Sequence, residues 1–272
     1  MTSPDQAGKQ GRIVIVMDSN AESLARLRRV ASLAADLKAE LSGLFVEDVN
    51  LLRMSELPGH EIGLTSGASI PTSRSDMEQQ LRLRANAARR EVERVALAHR
   101  LTWTFEVRRS GPLDALREAI RTTDLVCSAL AQELTAVPSA RPSPSPAYAA
   151  RIKVKSSPIL VLFEGGDHGW RVLDIAMRAA EITKAPLEVL VPVQSDAAGE
   201  QTIDAVKQYL PDAGSSVWAR HLAAGEKDLL DTVAKLRGRL LIVDAAGPAI
   251  EDERLAPLLA AANCEVLMVS KI

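Results

Sequence analysis

Short apolar runs and helical stripes alternate along the chain. Residues 12–17, RIVIVM, form a β-branched run closed by Asp18, Ser19 and Asn20, which are turn and helix-capping residues. Ser19 and Glu22 stand at capping-box spacing. Leu24, Leu27, Ala31, Ala34 and Leu37 then recur every three to four residues, predicting a helix over about 21–38 with one apolar stripe. LSGLFVE at 41–47 predicts a second strand. Residues 48–74 break the rhythm with Pro58, Gly59, Gly63, Gly67 and Pro71, although Leu51, Leu52, Met54 and Leu57 predict a short helical turn that covers the sheet. Connections this long are usually functional or mobile. Ser75 and Glu78 repeat the capping-box spacing ahead of a long helix to about 99. TWTFEVRR at 102–109 alternates as a strand, Pro112 suits the first turn of a helix through Arg121, and DLVCSAL at 124–130 reads as a fourth strand. The order β-α-β-α-β-α-β predicts a parallel sheet with helices on both faces.

Residues 131–157 interrupt this pattern. Pro138, Pro142, Pro144 and Pro146 crowd together with Ser and Ala, as in a linker or extended cover, with a short helix expected near 146–153. The chain then starts again. Residues 159–192 align with 13–46 without a gap at an offset of 146 (159 − 13), with roughly one residue in five identical. ILVLF falls on IVIVM, Glu164 on Asp18, Leu173 on Leu27, Ala180 on Ala34 and Lys184 on Lys38. SGPLDAL at 110–116 is echoed by AGEKDLL at 224–230, and LVCSAL by LLIVDA at 240–245. A helix at about 252–262 and a strand CEVLMVS at 264–270 complete the second unit. A repeat of this length implies duplication of a domain-sized unit. The expected division is therefore 1–157 and 158–272. The first unit offers no fifth strand of its own except SPILVLF at 157–163, so one strand is expected to serve both units.

Composition narrows the function classes. Of 272 residues 47% are hydrophobic and only 3% aromatic, so Ala, Leu and Val must fill the core. A net charge of −2 gives no global reason to expect a nucleic-acid or anionic-membrane partner. Arg82, Arg84, Arg89, Arg90 and Arg94 are a local concentration, interspersed with Glu78, Glu91 and Glu93 as on a solvated helix face. Cys127 and Cys264 lie in or beside apolar runs, where buried reduced thiols are expected. His60, His99, His168 and His221 form no ligand spacing, so no metal site is expected. No nucleophile context such as G-x-S-x-G appears, so no catalytic residue is assigned and no enzyme is expected. MTSPDQAGKQG lacks an apolar core and no run reaches the roughly 20 residues of a membrane span, so a cytoplasmic protein is expected.

IVIVMDSNAESLARLRRVASLAADLKAELSGLFVED resembles the opening β-α-β of the universal stress protein family, and the helix from 75, TWTFEVRR, SGPLDALREAI and DLVCSAL follow in the family's order. The resemblance covers 12–130, and 158–272 more weakly through the repeat. It implies an α/β fold of two tandem doubly wound parallel-sheet units, each of strand order 3-2-1-4-5. The family's ATP-binding branch carries a glycine motif after the fourth strand, where backbone N–H groups approach phosphate. Here no glycine occurs from Pro112 to Glu164, and the second unit has DAAGPAIEDER, with Gly247 followed by Pro248, which has no N–H, and by Glu251, Asp252 and Glu253. Both halves depart from the motif. Asp18 matches a family position where an acidic residue can face a nucleoside, while its place after a strand is first that of a helix N-cap or Asx turn. Val46 matches a position where the family's backbone meets adenine. FEGGDHGW at 163–170 resembles the pyrophosphate loop of ATP-dependent ligases, but Glu164 replaces its serine.

The expected protein is a non-enzymatic stress-response or regulatory protein that acts through protein contacts and needs no cofactor. Its two units are expected to pair as an intramolecular pseudo-dimer, and a second copy could add a homodimer; the protein partner is unnamed. The alternative is a module binding an adenine nucleotide such as ATP, or another small molecule, in a crevice beside Asp18 and Val46.

Overall fold

The computed structural model describes residues 11–18, 21–55, 73–130, 157–193, 196–210, 217–223, 226–250 and 252–270. The chain divides into two compact units, Met1–Ala131 and Gln132–Ile272. Nine strands occur among the described residues, all in parallel pairs within their units.

Unit 1 runs β1 (Arg12–Met17), α1 (Ala21–Asp36), β2 (Glu40–Asp48), α2 (Val49–Met54), α3 (Arg74–His99), β3 (Trp103–Ser110), α4 (Pro112–Thr122) and β4 (Leu125–Ser128). Its strands lie in the order β3-β2-β1-β4. β1 and β4 are buried along nearly their whole length, as strands covered on both faces must be. Of the stripe that periodicity assigns to α1, Leu27, Ala31 and Ala34 are buried and Leu37 is half-buried, while Val30 and Leu33 widen the buried face. Gly43 permits a close approach of α3 and β3 to β2: a Cβ there would stand 2.9 Å from both Phe105 Cδ2 and Val92 Cγ2, and 3.2 Å from Met17 Cε. α2 forms where the leucine cluster predicts it, capped by Asp48, and Leu52 packs on Met77 and Leu81 of α3.

Unit 2 runs β5 (Ile159–Leu162), α5 (Gly166–Thr183), β6 (Leu187–Val193), α6 (Asp196–Tyr209), β7 (Val217–Ala223), α7 (Glu226–Lys235), β8 (Leu240–Asp244), a short 3₁₀ turn (Pro248–Ile250), α8 (Asp252–Ala261) and β9 (Glu265–Val269). Its strands lie in the order β9-β8-β5-β6-β7, which is 5-4-1-2-3 in the unit's own count and thus the expected 3-2-1-4-5 read from the other edge.

The offset of 146 reappears as structure. Ile13 pairs with Leu41 and Ile159 with Leu187, so the first two strands of each unit share one register. The first helices also end alike. Lys38 and Lys184 both adopt left-handed backbone, at φ 53° and 51°. In each unit the cap N–H and its successor return to carbonyls three and five residues back: Lys38 to Ala35 and Ala39 to Ala34, Lys184 to Glu181 and Ala185 to Ala180. That is the Schellman arrangement.

Three expectations change. The cap of α3 lies two residues earlier than expected, so its capping box is Ser73 with Asp76, not Ser75 with Glu78; Ser73 Oγ accepts from the Asp76 N–H at 3.2 Å and Asp76 Oδ2 accepts from the Ser73 N–H at 3.2 Å. Glu78 instead faces Arg74, Arg82 and Arg109. The shared strand is also corrected. β5 uses one edge for β6 and the other for β8, so it cannot be the fifth strand of unit 1. β7 and α6 were not marked by the sequence pattern. The Ser19 cap, most of the 48–74 loop and the proline-rich segment with its helix at 146–153 lie outside the described residues.

Candidate functional site

Doubly wound sheets hold ligands beyond the carboxyl ends of their strands, where the strand order reverses. That point lies between β1 and β4 in unit 1, and between β5 and β8 in unit 2.

In unit 1, Asp18 is the first residue past β1 and is half-exposed. Met17 pairs with Phe45, so Val46 stands one step beyond the last β1–β2 rung. The two residues singled out from sequence therefore come to one edge of one strand pair. They differ in environment. Val46 is 2% exposed and pairs with Arg108 of β3, so its side chain belongs to the core and only its backbone could meet a ligand. The end of β4 is tied down by two bonds. The Ala129 N–H donates to the Val16 carbonyl at 2.9 Å, and Arg26 Nη1 of α1 donates to the Leu130 carbonyl at 3.0 Å. A guanidinium thus stands at the carboxyl end of β4. Sequence reading passed over Arg26, because 104 residues separate it from the carbonyl it reaches.

The corresponding place in unit 2 is closed by its own groups. Phe163 and Glu164 follow β5, and the turn into α5 uses Gly165 and Gly166 at φ 82° and 69°. Those angles, which L side chains rarely adopt, account for the two glycines. Gly169 is explained by packing, since a Cβ there would lie 3.3 Å from Phe163 Cε2. Turn geometry and packing thus account for all three glycines of FEGGDHGW.

Across the crevice, the turn after β8 commits its donors internally. The Ala245 N–H donates to Val269 O at 2.7 Å, the Ala246 N–H to Asp244 Oδ1 at 2.8 Å and the Gly247 N–H to Asp244 O at 3.1 Å. Residue 248 is proline and has no N–H. A phosphate arriving at 245–248 would meet no uncommitted backbone donor. Glu164 completes the closure: a Cβ built on Gly247 would overlap Glu164 Oε2, so this carboxylate lies against the Gly247 backbone. Asp244 is buried beside it. Two carboxylates at a switch point oppose an anion on electrostatic grounds.

A second charged cluster marks the carboxyl ends of β2 and β3. Arg109 reaches Glu47 Oε2 at 3.1 Å and Glu78 Oε1 at 3.4 Å, joining a buried strand carboxylate to the first turns of α3. A buried carboxylate is tolerated when paired this way. Further along α3, Glu91 accepts from Arg94 at 2.6 and 2.8 Å and from Arg28 of α1 at 3.2 Å. The hydrogen bonds from Arg94, opposed by partial burial and aided by Arg28, hold the Glu91 carboxyl below its ordinary value.

Among the described residues no group of three or more His, Cys, Asp or Glu side chains could hold a metal ion, and Cys127 and Cys264 are both free thiols. No described helix is long and apolar enough to cross a membrane.

No family model matches the sequence, and no curated protein matches it. Solved structures do. A universal stress protein from Archaeoglobus fulgidus DSM 4304 aligns over 95% of this chain and 96% of its own, at 10% identity and a TM-score of 0.51. The cytoplasmic domain of a prokaryotic cation chloride cotransporter aligns over 96% of both chains, at 11% identity and a TM-score of 0.46. A universal stress protein in complex with cAMP aligns over 42% of this chain and 95% of its own, at 18% identity and a TM-score of 0.35. The first of these carries the conclusion: the chain has the fold of a universal stress protein.

Proposed function

We propose that this chain is a non-enzymatic regulatory protein of the universal stress type, built from two tandem units and acting through protein contacts rather than phosphate chemistry. The turn after β8 supports the reading most directly. Its N–H groups at 245–247 are committed to Asp244 and Val269, its next residue is proline, and Glu164 fills the space against Gly247. The absence of glycine between Pro112 and Glu164 argues in the same direction for unit 1.

The test is a titration with ATP, ADP and AMP followed by thermal unfolding. A bound nucleotide at about 100 times its Kd would add about 2.7 kcal/mol. The expected result is no shift with any of the three, and no phosphate release above a buffer blank. A shift that disappears in Asp18→Ala would refute the proposal.

One observation favours a second reading, an adenine nucleotide or similar anion held by unit 1. Arg26 brings a guanidinium to the end of β4, the strand that pairs with β1, which Asp18 follows. Guanidinium binds phosphate well without a glycine loop. This reading expects Arg26→Ala and Asp18→Ala each to abolish a nucleotide-induced shift, and Glu164→Ala to leave it unchanged.

A further inference from the structure

The outer face of α3 is unlike an ordinary solvated helix face. Leu83 is 55% exposed and Leu97 is 66% exposed. With Arg90 midway they form one row at seven-residue spacing, and Leu83 and Leu97 stand about 21 Å apart at 1.5 Å per residue. A second row, Arg82, Arg89 and Arg100, runs beside the first at spacings of 7 and 11 (89 − 82, 100 − 89). α3 and its cap residue together carry seven arginines and no lysine. Arginine is enriched and lysine depleted where proteins meet proteins.

The charges of the helix are not all neutralised within the fold. Glu78 serves Arg74, Arg82 and Arg109, and Glu91 serves Arg28 and Arg94. Arg89, Arg90 and Arg100 make no ion pair among the described residues. Glu93 is the one exposed acid between the two rows.

We propose that the outer face of α3 is a docking surface for an acidic amphipathic helix of a partner protein, whose apolar residues cover Leu83 and Leu97 while its carboxylates face Arg82, Arg89, Arg90 and Arg100. The proposal rests on the protein-contact reading and gives it a surface and a chemistry. Charge complementarity selects the acid. The exposed leucines select a helix with its own apolar row over a nucleic acid, which would leave them uncovered. Two leucines are too few to seat a helix in a bilayer interface, which takes a continuous apolar face.

The probe is a fluorescein-labelled synthetic helix with leucines at seven-residue spacing beside a row of glutamates, titrated with the full chain and read by anisotropy. Saturable binding is expected, weakened at least about tenfold by Leu83→Ala/Leu97→Ala and by Arg89→Glu/Arg90→Glu, and strengthened by Glu93→Arg. Replacing the probe's leucines with alanine should weaken it similarly. Unchanged circular dichroism and melting temperature certify that these surface variants fold. Absence of binding would overturn the proposal, as would binding indifferent to either pair of substitutions. Tighter binding of duplex DNA, or of phosphatidylcholine–phosphatidylserine vesicles, lost in the same variants, would overturn it too. The nucleotide titration on the same samples reports separately: a silent nucleotide response with a failed probe removes this surface and keeps the protein-contact reading.

Discussion

Gly43→Ala tests how closely α3 must lie on the sheet. The added methyl would stand 2.9 Å from Phe105 Cδ2 and Val92 Cγ2, and 3.2 Å from Met17 Cε. Val92 is fully buried on α3, where a β-branched side chain has one strongly preferred rotamer and cannot turn aside. Overpacking of this kind costs about 1–3 kcal/mol. Alanine recovers about 0.4–1 kcal/mol by restricting the unfolded chain, and Gly43 is not among the residues with positive φ, so the backbone adds no strain. The net expectation is a loss of about 1–2 kcal/mol, and several degrees in melting temperature for a unit of this size. Equilibrium urea unfolding reads the loss directly, with an unchanged slope. Val92→Ala removes the methyl that the new side chain meets, so the double variant should be more stable than the sum of the singles by about 1 kcal/mol. Additivity, or a Gly43→Ala protein as stable as its parent, would refute the packing argument.

Three further outcomes are expected. Gly247→Ala should destabilise the chain in urea, and Glu164→Ala in the same molecule should restore most of the loss; independent effects would mean that the carboxylate does not fill the crevice. Ser73→Ala should cost about 1 kcal/mol and speed amide exchange in the first turn of α3, whereas Ser75→Ala should do little. Glu91 has a folded pKa below its unfolded value, so its contribution is present above the ordinary carboxylate range and is lost as pH falls through the folded value. Glu91→Gln should therefore lower stability at neutral pH and match the parent in acid; a gap constant across pH would contradict that assignment.

The fold was legible because its strongest signals are local. β1, β5, β8 and β9 are largely continuous apolar runs, and the period of α1 names Leu27, Ala31 and Ala34, which are buried. Lys38 and Lys184 looked like an unremarkable identity in the repeat, and both prove to be left-handed helix caps. What stayed hidden depends on partners far along the chain. The closure of the second crevice joins Glu164 to Gly247, and Arg26 reaches Leu130; neither pair has a local signature. The sequence pattern found β5 but could not say which strands take its two edges, and the shared-strand expectation failed there. The cap of α3 slipped by two residues because Ser73 and Ser75 are both followed by an acid three positions on. Only the backbone decides which serine precedes the first turn.

The central place of β5 bears on how the second unit comes into being during synthesis. A strand with both edges occupied, by β6 and by β8, is the middle strand of its unit's sheet and not an appendage. Its first rung, Ile159 with Leu187, spans a single helix, so the two partners are synthesised close together. Its other edge must wait for Leu240. Before Leu240 is made that edge has no partner within the unit, and a row of unpaired N–H and C=O groups is a template for stray strands. Unpaired strand edges of this kind make incomplete chains prone to aggregation, and chaperones counter it.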